Sequence, residues 1–283
     1  MNPPISKIGV LLRPATPTLK DTFFEIQKAF NKNGIQIILE DSSALMIGLS
    51  GIAFEDMCEE IDALLSLGGD GTLLSALRRS YGSKIPAFGI NIGHLGFLTA
   101  ISPIEVDRFA ALLSKGDYKI DEHMMLEGCL STSEGEKNLH ALNEVLISKK
   151  NISGLLKIYA KVNGESFNVY YADSLIIGTP TGSTAYNISA GGSVIYPFCR
   201  NILLTPISPH SLTQRPMVLN DEFVLEFGVE NDCVLVIDGQ EVMEMKSQDT
   251  LKIKAAQLNA HLIQKTDRSY FRILKQKFKW GEE

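Results

Sequence analysis

The sequence has little cysteine and no pattern in what it has. Cys58, Cys129, Cys199 and Cys233 are scattered along 283 residues with no Cys-x-x-Cys pair. That excludes a disulfide-stapled scaffold and a thiolate zinc site, and reads as free thiols in a reducing cytosol. Long hydrophobic runs are missing too. None approaches the ~18 residues needed to span a bilayer, so no membrane role is expected. The opening, Met1-Asn2-Pro3-Pro4-Ile5-Ser6-Lys7, has no basic stretch followed by an apolar one, so no secretory leader is expected. Positive charge is in deficit: 27 Lys+Arg against 33 Asp+Glu leave a net −6. This argues against a general nucleic-acid binder, whose affinity comes from counterions released by a basic face. An anionic small ligand stays open, because backbone N–H groups and a divalent ion can hold phosphates in an acidic protein.

Several familiar signatures are also absent. There is no Gly-x-x-x-x-Gly-Lys-[Ser/Thr] loop, no Gly-x-Gly-x-x-Gly fingerprint and no Gly-x-Ser-x-Gly elbow. The five histidines (His94, His123, His140, His210, His261) show no metal-ligand spacing, so no protein-built metal site is expected. What remains is a chain of two domains' worth, at about 150 residues each, 45% hydrophobic and able to bury a large core without staples.

The first third alternates strands and helices. Residues 8–12 form a short apolar run ended by Arg13-Pro14; runs at 35–39, 63–67 and 87–90 read as further strands. Between the first two, Leu19, Phe23, Ile26 and Phe30 recur at helical spacing, with Asn33-Gly34 as a stop. Val106, Phe109, Ala110 and Leu113 mark another helix. Such alternation implies a parallel sheet covered on both faces. After about residue 118 the period changes to two. Alternating runs flank Asn163-Gly164, a hairpin signal because both turn positions need positive φ. Strand-like runs follow at 223–227, 234–237, 251–253 and 258–263. The expected organisation is an α/β domain over 1–117, a mostly β domain over 118–267, and a segment, 268–283, that returns to the first.

Three constellations carry chemistry. Gly68-Gly69-Asp70-Gly71-Thr72 ends a buried strand and precedes a helix. Its glycines let backbone amides approach an anion, and the helix start adds dipolar attraction for phosphate. Asp70 stands among them, near the phosphates, where it can take a proton or help orient a metal. The second is Gly178-Thr179-Pro180-Thr181-Gly182-Ser183-Thr184-Ala185-Tyr186, followed by Ser189-Ala190-Gly191-Gly192. Its hydroxyls and bare amides suit a polar ligand. The third, Asn143-Glu144, offers a donor and carboxylate acceptors that suit a diol such as ribose. Each has an ordinary alternative: a strand–helix turn, a Ser/Thr/Gly loop, a surface dipeptide.

Taken in order along the chain, these motifs resemble those of the bacterial NAD kinases. The resemblance runs from Gly9 to Trp280. It also includes Gly89-Ile90-Asn91 with Gly93-His94-Leu95-Gly96-Phe97-Leu98, Pro209-His210-Ser211-Leu212 with Arg215-Pro216, and Asp238-Gly239-Gln240. It implies an α/β N-terminal domain plus an all-β C-terminal domain whose last segment returns to the first. It further implies a cytoplasmic homodimer or homotetramer, with NAD between domains and near a neighbouring subunit. The implied substrates are NAD and ATP, or polyphosphate, with a divalent ion, Mg²⁺, as cofactor and neither nucleic acid nor membrane as partner. By the same resemblance Asp70 is the general base and Gly71 lines the NAD site. Asn143 and Glu144 meet the adenosine, Asp173 the far end of NAD, and Thr184, Ala185, Tyr186, Asn187, Ile188 and Ser189 line the pocket, with Gln240 beside it. Gly68, Gly69, Gly71 and Thr72 form the phosphate-donor loop. In Tyr170-Tyr171-Ala172-Asp173-Ser174 the chain departs from the Gly or basic-polar residues of the family, and Tyr171 is expected to reshape that side of the pocket. A diacylglycerol-type lipid kinase shares the glycine loop, and a non-catalytic NAD sensor would share the pocket.

Overall fold

The structure, a computed structural model, describes residues 2–93, 96–151 and 154–281. The chain divides into two compact units: Met1–Glu122 with His261–Glu283, and His123–Ala260.

The first unit is built on a six-stranded sheet. Its strands are β1 (Lys7–Leu12), β2 (Gln36–Leu39), β3 (Ala63–Gly68), β4 (Ala87–Asn91), β5 (Lys119–His123) and, from the end of the chain, β18 (Ala260–Gln264). They lie in the order 2-1-3-4-18-5, and β1–β2, β1–β3, β3–β4 and β4–β18 run parallel. Helices α1 (Lys20–Lys32), α2 (Asp41–Met46), α3 (Phe54–Glu60), α4 (Asp70–Arg79) and α5 (Val106–Leu113) accompany the strands. The helical spacing works as expected: Leu19, Phe23, Ile26 and Phe30 are all buried, in one core with Val106, Phe109, Ala110 and Leu113 of α5. At the end of α1, Gly34 takes φ +76°, the left-handed conformation that stops a helix. Every residue of β3 is buried, as a strand covered on both faces must be.

Strand order reverses between β1 and β3, since β2 lies on one side of β1 and β3 on the other. The crevice at the carboxyl ends of such a pair is where open α/β sheets take their ligands. Arg13 follows β1 there and Gly68-Gly69 follows β3, and the Arg13 amide donates to the Leu67 carbonyl at 2.9 Å.

The second unit is a sandwich of two antiparallel sheets. Three-dimensional neighbours in one sheet are β6 (Leu126–Thr132), β7 (Gly135–Ala141), β9 (Leu156–Val162), β10 (Glu165–Ala172), β14 (Leu225–Val229) and β17 (Thr250–Ala255), ordered 10-9-14-17-6-7. In the other are β8 (Glu144–Lys149), β11 (Ser174–Gly178), β12 (Asn201–Ile207), β13 (Met217–Asn220), β15 (Cys233–Ile237) and β16 (Glu241–Met245), ordered 13-12-11-8-15-16. Alternate residues of both, such as Ile158, Ala160, Phe227 and Ile253 against Val145, Ile147, Ile177 and Leu235, fill one core. Asn163 (φ +50°) and Gly164 (φ +83°) turn the β9–β10 hairpin. The short helix α6 (Tyr186–Ser189) sits in this unit, while α7 (Tyr270–Phe278) belongs to the first.

The observed divisions fall at 122/123 and 260/261 rather than at 117/118 and 267/268. The reason is pairing. The run at 258–263 reads like its β-rich neighbours, yet Leu262 registers beside Ala87 on β4 and so joins the parallel sheet.

Candidate active site

In the first unit, Gly68 closes β3 and Gly69 caps α4, whose first residue is Asp70. A Cβ on Gly68 would collide with Thr72 and press on Arg13, so the close approach of β3, α4 and the residue after β1 requires glycine there. Gly69 has open space around its α-carbon. Gly71 is exposed and Thr72 half-buried.

Asp70 is half-buried and its carboxylate is fixed. Oδ2 accepts the amide of Phe97 at 2.7 Å, and Oδ1 accepts those of Leu98 at 3.2 Å and Thr99 at 3.0 Å. Three consecutive amides donating to one carboxylate hold it in one position and one rotamer. Gly96, just before them, touches this carboxylate so closely that any Cβ would displace it. The carbonyls of the same tripeptide are bound from the other side. Arg268 donates to the carbonyls of Thr99 and, at 2.6 Å, of Phe97, and Gln264 Nε2 donates to that of Leu98 at 2.9 Å. Burial pulls the Arg268 guanidinium below its usual pKa, a tendency opposed by Asp70, Asp121 and Glu105. His94 and Leu95 of the neighbouring motif lie outside the described residues.

In the second unit the two polar motifs lock together. The Asn143 carbonyl accepts the Thr179 amide at 2.8 Å, Thr179 Oγ1 donates to Leu142 at 2.5 Å, and Gly182 rests on the Asn143 backbone where no Cβ fits. His123 Nδ1 meets Thr181 Oγ1 at 2.8 Å. Asp238 completes the arrangement from the β15–β16 turn, where it and Gly239 adopt φ +49° and +67°. Its Oδ2 accepts the amide of Leu142 at 3.1 Å, and its Oδ1 those of Asn143 at 2.8 Å and Glu144 at 3.1 Å. Glu144 is buried with no partner for Oε2 among the described residues, and burial, reinforced by the Asp238 charge, pushes its pKa up to about 8. At neutral pH its carboxyl is therefore mostly protonated and can donate as well as accept.

The remaining predicted residues are placed as follows. Asn143 is half-buried, and its side-chain amide makes no hydrogen bond among the described residues. Asp173, between β10 and β11, pairs with Lys149 at 2.5 Å. Thr184 closes a 3₁₀ turn, Ala185 links it to α6, Tyr186 and Ser189 are exposed, and Ile188 is half-buried. Asn187 differs from its neighbours. It is buried, its Nδ2 donates to the carbonyls of Ser183 and Ser193, and its Oδ1 accepts from Thr205 at 2.6 Å, so its side chain holds the loop rather than facing outward. Gln240 is exposed at the turn after Asp238. Tyr171 is exposed, with the Lys157 ammonium 5.8 Å from its ring. Sequence reasoning had no role for Arg268, Gln264 or the 97–99 amides, and named Asp238 only within a motif.

Comparison with known proteins gives a consistent set of likenesses. Residues 50–118 match the ATP-NAD kinase N-terminal domain family and residues 142–265 the ATP-NAD kinase C-terminal domain family. The chain is 50% identical to the NAD kinase of Helicobacter hepaticus, over 100% of its own length and 98% of that protein. It is 47% identical to the NAD kinase of Wolinella succinogenes over 98% and 97% of the two. Its fold resembles that of yeast NADH kinase crystallised with NADH, with a TM-score of 0.86 at 23% identity, covering 99% of this chain and 89% of that one. It also resembles an NAD kinase from Archaeoglobus fulgidus in complex with ATP, with a TM-score of 0.76 at 24% identity, covering 96% and 98%.

Proposed function

The chain belongs to the NAD kinase family, and we propose that Asp70 is the general base of its reaction. As an NAD kinase it transfers a phosphoryl group to NAD, making NADP, with an alcohol as acceptor. In the proposed step the 2′-hydroxyl of the adenosine ribose attacks the γ-phosphorus of ATP. Its proton passes to the Asp70 carboxylate as the new O–P bond forms and the bond to the β-phosphate oxygen breaks. A ribose hydroxyl is a poor nucleophile at neutral pH, and a carboxylate within reach removes the proton as charge develops. The observation that carries this assignment is the fixed carboxylate of Asp70 at the glycine turn where strand order reverses. Gly68, Gly69, Gly71 and Thr72 offer amides and a hydroxyl to the donor phosphates.

Asn143 and Glu144 take the adenosine ribose, and Asp173 the far end of NAD once it shares or releases Lys149. Thr184, Ala185, Tyr186, Ile188 and Ser189 line the pocket, Asn187 shapes it from within, and Gln240 adds a polar edge. A protonated Glu144 beside an amide presents both donors and acceptors, which suits the vicinal hydroxyls of ribose better than two carboxylates would.

For a divalent ion the protein's own donor set is small. Among the described residues no three His, Cys, Asp or Glu side chains gather as a metal site. That fits Mg²⁺ carried on the triphosphate, because this ion keeps its waters and takes one or two carboxylates plus phosphate oxygens; Asp70 is the carboxylate at hand. A divalent ion held there would supply charge neutralisation for the transferring group. By family resemblance we place the enzyme in the cytoplasm, as a homodimer or homotetramer, with its four cysteines as free thiols.

The test is a coupled assay of the purified protein with NAD, ATP and Mg²⁺, read by an NADP-specific dehydrogenase. NADP from the wild type and not from Asp70→Asn supports the assignment. No NADP with ATP, but NADP with polyphosphate, moves the donor. Saturable NAD binding without turnover on either donor overturns the reading in favour of a sensor.

A further inference from the structure

We infer that Arg268, with Gln264, is a positioning residue for the Asp70 carboxylate, acting through the tripeptide Phe97-Leu98-Thr99. Two complete peptide units lie between them. The Phe97 carbonyl accepts from Arg268 Nη2 at 2.6 Å while the Leu98 amide of the same peptide donates to Asp70 Oδ1 at 3.2 Å. The Leu98 carbonyl accepts from Gln264 Nε2 at 2.9 Å while the Thr99 amide donates to Asp70 Oδ1 at 3.0 Å. A second arm of Arg268 takes the Thr99 carbonyl. Every carbonyl and every amide of the tripeptide is thus engaged, carbonyls toward the returning segment and amides toward Asp70.

Hydrogen bonds in series polarise one another, so a cation on the carbonyl side strengthens donation on the amide side. The guanidinium suits this because its planar, pre-organised fork holds two carbonyls from separate nitrogens, whereas an ammonium is a single point of charge on a flexible stem. Thr99 is 2% exposed and Gln264 3% exposed, so these two links of the chain of bonds are shielded from water, while Asp70 and Arg268 at its ends are half-buried. Arg268 lies three residues past the end of the C-terminal family match, in the segment that returns to the first unit.

The inference rests on the reading of Asp70 as the base, and its test separates the two. Amide hydrogen exchange is followed in wild type, Arg268→Ala, Arg268→Lys and Gln264→Leu, with turnover measured per folded molecule. In Arg268→Ala, exchange at Leu98 and Thr99 should speed up about tenfold, while the amides of Leu142, Asn143 and Glu144, bound to Asp238, stay unchanged. Its kcat should fall about tenfold with KM for NAD within about twofold, and added free guanidinium should recover part of the loss. Arg268→Lys should fall between wild type and Arg268→Ala. If Arg268→Ala does not fold, Gln264→Leu, which removes the single bond to Leu98, should still speed exchange at Thr99. Unchanged exchange at Leu98 and Thr99 in the variants, or a kcat within about twofold of wild type, overturns the inference. A wild type that makes no NADP overturns the reading of function, and the exchange data still decide the positioning.

Discussion

Two aspartates in this molecule make the same three bonds and do different things with them. Asp70 in the first unit accepts the amides of Phe97, Leu98 and Thr99; Asp238 in the second accepts those of Leu142, Asn143 and Glu144. Asp70 is half-buried at a glycine turn, and the peptides that hold it are gripped from behind by Arg268. Asp238 is 6% exposed, in a tight turn, with a second carboxyl beside it, and the carbonyls of the tripeptide that holds it are taken by Thr179 and by its own amide. Three amides are enough to fix a carboxylate, but surroundings decide its use. At an open turn backed by a guanidinium the fixed carboxylate is the one we propose as acceptor of the proton in transit. Buried beside Glu144, it holds a dipeptide in place and helps keep a neighbouring acid neutral.

The strongest way to break this contrast is at the two aspartates themselves. Asp70→Asn should lower kcat by roughly 10²–10⁴ while leaving NAD affinity within about twofold, read by steady-state kinetics and calorimetric titration. Asp238→Asn places a donor among three buried amides. It should cost roughly 3 kcal/mol of stability, a fall on the order of 10 °C in the unfolding midpoint, and raise KM for NAD through the dipeptide it holds, with kcat per folded molecule falling far less than in Asp70→Asn. A variant pair with those effects exchanged would dissolve the distinction.

Smaller changes sharpen it. Gly96→Ala forces a methyl against the Asp70 carboxylate and should reduce kcat about tenfold, with KM for NAD within about twofold. Unaltered turnover would mean the carboxylate need not stay where the amides hold it. The least effect is expected from Glu144→Gln, through pH. Glu144 binds its proton more tightly folded, near pH 8, than at the 4.5 of an ordinary glutamate. Across that window the folded chain carries a proton the unfolded chain has lost, so wild-type stability falls as pH rises. Glutamine removes this dependence. The variant should gain on wild type by about 1 kcal/mol between about pH 6 and about pH 7, measured by urea unfolding at each pH. A gap that stays constant across that range would contradict a raised Glu144.

What sequence made legible was whatever lies close along the chain. Period and punctuation give β1 through β4, the helix bearing Phe23, Ile26 and Phe30, and the hairpin at Asn163-Gly164, because these depend on neighbours a few residues apart. The glycine turn with Asp70, and Asn143-Glu144, are legible for the same reason. What was not legible is what holds them. The amide partners of Asp70 lie 27 to 29 residues away, those of Asp238 94 to 96, and Arg268 stands 171 residues from Phe97. No local pattern encodes such pairings. The strand β18 illustrates the same limit, since its alternation matches the β-rich half while its partner is β4. Asn187 illustrates another. In a loop of Thr, Ser and Asn, composition cannot say which amide turns inward to Thr205.

The most direct measurement is NADP formation per folded molecule in Asp70→Asn, with the thermal unfolding midpoint recorded on the same sample. The account predicts turnover down by at least about a hundredfold with the fold retained. Turnover within about tenfold of wild type in a folded Asp70→Asn protein would contradict it, and the base would have to be sought elsewhere.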